Sequence, residues 1–282
     1  MQGPDRLVPP LLLALLASAT PAAAAPPEAG RTGQVKVRYE KPKNPAHQRA
    51  YDRLSERKFL ETFAEVLGTV RLPRPLTLRL AGCDGTDNAW YDPDEHQVTF
   101  CYELVASIEK AAGGAAAHGI SREDATEGPV VFLMLHESAH ALFDLLRVPI
   151  LGREEDAADQ VAAVILLRSG EGIARRVLAG TAWMYKHDAS AYTPDESDFA
   201  DVHGLDVQRY YNVLCLAYGS DPKGFSGLVE KGYLPKERAE GCAEEFGQAG
   251  YAVRTLISTN LDTAAWEQTR ARHHAKWSAR PK

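Results

Sequence analysis

The sequence predicts an α+β fold, with a small mixed or antiparallel sheet in the N-terminal half packed on one buried helix, and a mainly helical C-terminal half. Three observations carry this expectation. Short strand-like runs (34–40, 76–80, 89–91 and 97–100) are confined to the first hundred residues. From Tyr102 onward the apolar pattern is almost wholly helical. One stretch, 130–135, is apolar on every side, as suits a helix with no solvent face.

Taken in order, the chain opens with Arg6, an apolar run over 11–17, Pro21 and the small residues Ala22 to Ala25. This is the n-region, h-region and A-x-A pattern of a secretory signal, so 1–24 is read as a signal peptide cut after Ala24, and 25–33 as a linker. The apolar run is too short to span a bilayer, and no later segment reaches the roughly 18 apolar residues that a membrane helix needs. The expectation is a periplasmic or secreted protein. Residues 34–282 are read as one domain, with 34–147 holding the sheet and the buried helix and 148–282 forming a helical subdomain.

Within that domain, 34–40 alternates well enough for a strand. Asn44-Pro45 then reads as an N-cap followed by proline at the first helical position. Tyr51, Leu54, Leu60, Phe63 and Leu67 recur at roughly helical spacing before Gly68, which predicts one helix of about six turns. The runs 89–91 and 97–100 are joined through Asp92-Pro93-Asp94-Glu95, a turn sequence. His96 falls at this turn and is read as a surface residue.

Composition narrows the class of partner. The balance of 32 Lys and Arg against 38 Asp and Glu gives a net charge of −6, too mild and scattered for nucleic acid or an anionic membrane. The basic end, 270–282, is read as a last helix running into a solvated tail. Four cysteines in an exported chain predict two disulfides. Sequential pairing, Cys83 with Cys101 and Cys215 with Cys242, is the preferred arrangement, and the other two connectivities stay open.

The chemistry gathers around Gly128-Pro129, which is read as the start of the buried helix. His136, His140 and Asp144 follow at i, i+4 and i+8, with Glu137 beside them, so a polar stripe runs down a core helix. Unpaired, such groups would cost several kcal/mol. His136-Glu137-Ser138-Ala139-His140 has the H-E-x-x-H form: two imidazoles one turn apart can both ligate one Zn²⁺ per chain, and Glu137 can act as base on a water. Histidine and glutamate at this spacing are harmless on an exposed helix, but this helix has no exposed face. A third ligand is expected from the next helix, which opens with Glu154, Glu155, Asp156 and Asp159. Acidic residues at a helix start also arise for dipole reasons alone. Glu155 and Asp159 lie one turn apart on one face, so Glu155 can ligate while Asp159 accepts the free N–H of a ligating histidine.

His136-Glu137-x-x-His140 with Glu155-x-x-Ala158-Asp159 resembles the gluzincin arrangement of thermolysin-like peptidases, and this implies a zincin-like fold. Phe143 and Leu146 stand where the metzincin pattern has glycine and a third histidine, which excludes that subclass. Cys83-Asp84-Gly85, Asn88 to Pro93, Cys101 to Leu104, Gly152 to Asp159 and Gln208 to Asn212 together resemble an exported bacterial metallopeptidase family, domain of unknown function 4344. The resemblance implies zinc and hydrolysis of peptide or protein bonds. The connection from His140 to Glu155 is shorter than in thermolysin, which keeps Glu154 as a rival ligand. By the same likeness, His203, flanked by Asp201 and Asp206, is the candidate donor to the oxyanion, with Arg209 and Tyr210 as rivals. The strand at 89–91 can pair with an extended substrate, or its aromatic residues can be core. Two other readings stand beside the peptidase: a zinc amidase acting on non-peptide or cell-wall amides, and a binding module that keeps the zinc fold without turnover. Glu137 argues against the second, because a structural site needs no base. The oligomeric state is open.

Overall fold

The computed structural model describes residues 35–278. The expected signal peptide and linker lie outside the described residues. Four strands, β1 (Val35–Tyr39), β2 (Leu76–Ala81), β3 (Ala89–Asp92) and β4 (Gln97–Cys101), form one sheet in the order β1-β2-β4-β3. β1 pairs parallel with β2 and β2 with β4, whereas β3 runs antiparallel to β4, so the sheet is mixed. Alternation sets its inner face: Leu76, Leu78 and Leu80 of β2, with Val98 and Phe100 of β4, are fully buried. In the turn before β4, Asp92 Oδ1 accepts from the backbone N–H groups of Asp94 and Glu95 at 3.0 and 3.1 Å.

The parallel step from β1 to β2 needs a crossover, and the expected six-turn helix supplies it in pieces. Asn44 caps a 3-10 turn (Pro45–His47), its Oδ1 accepting from Ala46 N–H at 3.0 Å. α1 (Gln48–Glu56) follows, and the chain breaks at Lys58, whose φ is 52°, before α2 (Phe59–Leu67). The break has a geometric cause. Leu54 and Leu60 are six positions apart, which 3.6 residues per turn would put on different faces of one straight helix. The left-handed residue rephases the chain, so that Ala50 and Leu54 of α1 and Leu60, Phe63 and Leu67 of α2 all reach the core.

α3 (Tyr102–Ala111) leaves β4 directly, and α4 (Arg122–Leu145) runs through the middle of the molecule. Contrary to the expectation that Pro129 opens it, α4 starts seven residues earlier, capped by Ser121 Oγ accepting from Asp124 N–H at 3.0 Å, and Pro129 lies inside. That first stretch is held by close packing on α6 (Glu171–Ala189). A Cβ on Gly180 would lie 1.9 Å from the Asp124 carbonyl oxygen, and one on Gly128 2.7 Å from that of Val177. Tertiary contact therefore extends the helix past the residue that local rules would put at its start.

α5 (Glu154–Ser169), α7 (Glu196–Ala200) and α8 (Asp206–Ser220) complete the part of the fold that matters for the site. Two single turns, α9 (Gly227–Glu230) and α10 (Lys236–Ala239), then lead to α11 (Cys242–Ala252) and α12 (Thr263–Ser278). One apolar core runs through sheet and helices from Ala50 to Ile257. Cys83 is bonded to Cys101, tying the loop after β2 to the end of β4, and Cys215 to Cys242, tying α8 to α11. Both bridges accord with an oxidising compartment. Among the described residues no helix is long and apolar enough to cross a membrane.

Candidate metal centre

α4 carries His136, Glu137 and Ser138 into the core, whereas Asp144, one turn beyond His140 on the same stripe, is exposed, so the helix does have a solvent face at that end. His136 is 2% exposed, Glu137 9% and Ser138 fully buried, with Phe132, Met134, Ala139 and Leu142 packed around them. At the far end, Gly152 has a φ of 100°, a left-handed conformation that suits glycine, and the chain turns there into α5 beside α4. The first two turns of α5 thus present Glu155 and Asp159 to the histidines. The loop before α8 delivers His203, and α8 itself delivers Arg209.

Three donor atoms converge. His136 Nε2 lies 3.2 Å from His140 Nε2, and Glu155 Oε2 lies 3.0 Å from the first and 3.3 Å from the second. His203 Nε2 approaches the same carboxylate oxygen at 3.0 Å, and its Nδ1 is 2.9 Å from Asp201 Oδ1. Behind His136, Nδ1 meets Asp159 Oδ1 at 2.8 Å. Arg209 donates to both oxygens of Asp159, from Nε and Nη2, at 2.8 Å each. Glu154 takes a different place: its Oε1 is 2.7 Å from His140 Nδ1, the ring nitrogen turned away from the convergence point, and its side chain is mostly exposed.

The electrostatics follow from burial among charges. Burial raises the pKa of Glu137, with His136 and His140 opposing and Glu155 adding to the rise; the backbone N–H of Tyr91 donates to the carboxylate and holds it down. Burial also raises Asp159, but the Arg209 guanidinium overcomes it, and the carboxyl is lowered to about 2. For His140, burial disfavours the cation, and the Glu155 and Glu154 carboxylates outweigh it to raise the pKa to about 9.

The residues singled out from sequence, His136, Glu137, His140, Glu155 and His203, line one cleft of about 740 Å³, with Asp159 directly behind His136. Of the rivals of His203, Arg209 lines the same cleft and Tyr210 points to another contact. Arg209 grips Asp159, and the Tyr210 hydroxyl donates to the Tyr233 carbonyl at 3.4 Å. Sequence reasoning missed two contacts. The Arg209–Asp159 pair joins residues fifty positions apart, and no local pattern marks it. His96, read as a surface residue, is half-buried instead: its Nδ1 lies 3.2 Å from the Tyr91 hydroxyl, which donates to Asp144 Oδ2 at 2.7 Å. β3 forms the wall beside Glu137. Because Cys101 N–H donates to the Asn88 carbonyl, the antiparallel alternation turns the backbone of Ala89 and Tyr91 away from β4, toward the free edge.

The donor set suits a metal ion. Tetrahedral zinc with bonds of about 2.1 Å holds its ligand atoms about 3.4 Å apart, close to the 3.0 to 3.3 Å observed. His136, His140 and Glu155 form the metal-competent group among the described residues that is built of free side chains; the other, Cys83, Cys101 and Glu103, has its sulfurs in a disulfide.

An α+β chain whose cleft joins two histidines and a carboxylate has, in outline, the site of a metal-binding protein. More particularly, residues 39–257 match the family described as "Putative metallopeptidase", and the chain belongs to that family. No curated protein and no solved structure matches it. Membership implies a metal and a peptide or protein substrate.

Proposed function

We propose that this chain is a zinc-dependent peptidase of the gluzincin type that works outside the cytoplasm, as a single domain over 34–282, after loss of the signal peptide 1–24. The observation that carries the reading is the convergence of His136 Nε2, His140 Nε2 and Glu155 Oε2 within 3.3 Å of one another beside the buried Glu137. His136, His140 and Glu155 would hold the zinc. When bound, zinc polarises a substrate carbonyl and makes water a nucleophile at neutral pH.

The chain's own residues divide the remaining work. Glu137 takes a proton from the attacking water and returns it to the leaving amine; its raised pKa brings it closer to the neutral range where such transfer is efficient. His203, its Nδ1 held by Asp201, offers Nε2 as a donor to the oxyanion. Asp159 fixes the ring of His136 and leaves Nε2 for the metal. The free edge of β3 can receive an extended peptide through the backbone of Ala89 and Tyr91. Metal analysis of the purified mature protein tests the reading: it should carry about one zinc per chain. A fully folded protein that binds no zinc would overturn it.

A further inference from the structure

At the end of the cleft formed by α6 and α8, two carboxylates form no hydrogen bond or salt bridge among the described residues. Asp188 lies at the C-terminal end of α6, and Asp206 is the first residue of α8. Both line the cleft that holds His136 and Glu137, and both are half-buried. Arg209 and His203 act on Asp206 and His187 acts on Asp188 through space, but Arg209 is held on Asp159 through Nε and Nη2, and none of the three forms a salt bridge with either carboxylate. Burial raises the pKa of each, and the charge of Asp206 raises Asp188 further. Such a pair is poorly solvated and repels itself, so it gains from a cation that enters the cleft.

A second group points the same way. Tyr185, on the turn of α6 before Asp188, is 1% exposed and lines the same cleft. Its hydroxyl hydrogen has no acceptor among the described residues, since the Arg209 guanidinium beside its ring is itself a donor. A bare metal cation would neutralise the carboxylates and leave this donor unmatched. A peptide brings both complements, a cationic nitrogen and a carbonyl oxygen.

We infer that Asp188 and Asp206, with Tyr185, form a subsite for a cationic nitrogen of the substrate, supplied by a lysine or arginine side chain or by a free amino terminus. The inference rests on the proposed peptidase reading and names its substrate class. It also explains why an open cleft keeps two carboxylates that form no ion pair of their own among the described residues.

Binding can be read without turnover, on zinc-loaded protein carrying Glu137→Gln, by fluorescence anisotropy of labelled peptides. One pair of N-acetylated peptides carries arginine or its neutral isostere citrulline. A second pair, with neutral side chains, has a free or an acetylated amino terminus. In at least one pair the cationic member should bind about tenfold or more tightly, and adding Asp188→Asn and Asp206→Asn should bring that ratio close to one. Equal affinity within both pairs overturns the inference, and so does a preference that survives the two asparagine substitutions. The comparison of peptides needs no variant at the subsite, so a failure of the double variant to fold does not block it. Charge-dependent binding by a protein whose zinc-loaded wild type cleaves no peptide supports the subsite and overturns the hydrolase reading. Cleavage without regard to charge does the reverse.

Discussion

His136 Nδ1 lies 2.8 Å from Asp159 Oδ1, and this contact fixes which ring nitrogen faces the cleft. A neutral histidine that donates from Nδ1 keeps Nε2 as a lone-pair donor, and here Nε2 is the atom beside His140 and Glu155. Asp159→Asn weakens the acceptor without changing the shape. Zinc affinity, measured by competition with a chromophoric chelator, should fall about 10- to 100-fold. A change of less than about twofold would show that the contact does not orient the ligand.

The same carboxylate gives stability a pH dependence. Asp159 has a folded-state pKa lowered to about 2 by Arg209, below its ordinary value of 3.8. A depressed carboxylate contributes stability that is complete above the unfolded-state pKa and is lost as pH falls through the folded one, here between about pH 4 and pH 2. The contribution is about 2 kcal/mol for a buried group with this shift. Chelator-treated protein should lose that much in urea unfolding across this window, and Asp159→Asn should flatten the loss. An unchanged acid limb in the variant would assign acid lability to other groups.

Glu154 and Glu155 are neighbours in sequence with different geometry. Glu155 Oε2 sits between both Nε2 atoms, whereas Glu154 reaches the outer nitrogen of His140 from an exposed position. Glu155→Ala should weaken zinc binding by at least about 100-fold, and Glu154→Ala by less than about tenfold, the usual range for an outer hydrogen-bond partner. Isothermal titration with zinc compares the two directly. The reverse order would move the ligand by one residue.

His203 stands apart from the three donors in the role proposed for it. His203→Ala should leave zinc content unchanged and lower kcat/KM on a peptide substrate by about 100-fold, the loss expected for one oxyanion donor. If zinc is lost together with activity, His203 belongs to the ligand set instead.

Much of this site was legible in sequence because its parts lie on two consecutive helices, where spacing fixes direction. His136 and His140 one turn apart, and Glu155 and Asp159 one turn apart, declare shared faces wherever a helix can be recognised. What was hidden depends on tertiary contact. The break at Lys58 rephases two apolar stripes that looked continuous as a list of positions. The start of α4 before Pro129 rests on contact between Gly128 and Gly180, which no local rule reports. Arg209 reaches Asp159 across fifty residues, and the Tyr91–Asp144 bond crosses from sheet to helix. Short apolar runs admit a mixed sheet and an antiparallel one alike, because strand direction follows from the crossover path, which they do not encode.

Glu137 is the residue on which the proposed chemistry turns, buried on α4 beside the three donors and touching the edge strand through Tyr91 N–H. The most direct test is digestion of a peptide library by zinc-loaded wild type and Glu137→Gln side by side, with products read by mass spectrometry. The account predicts cleavage by the wild type and a loss of at least about a thousandfold in the variant at unchanged zinc content, since the base is removed while the ligands remain. Equal cleavage by both proteins, or none by a wild type carrying one zinc, would contradict it.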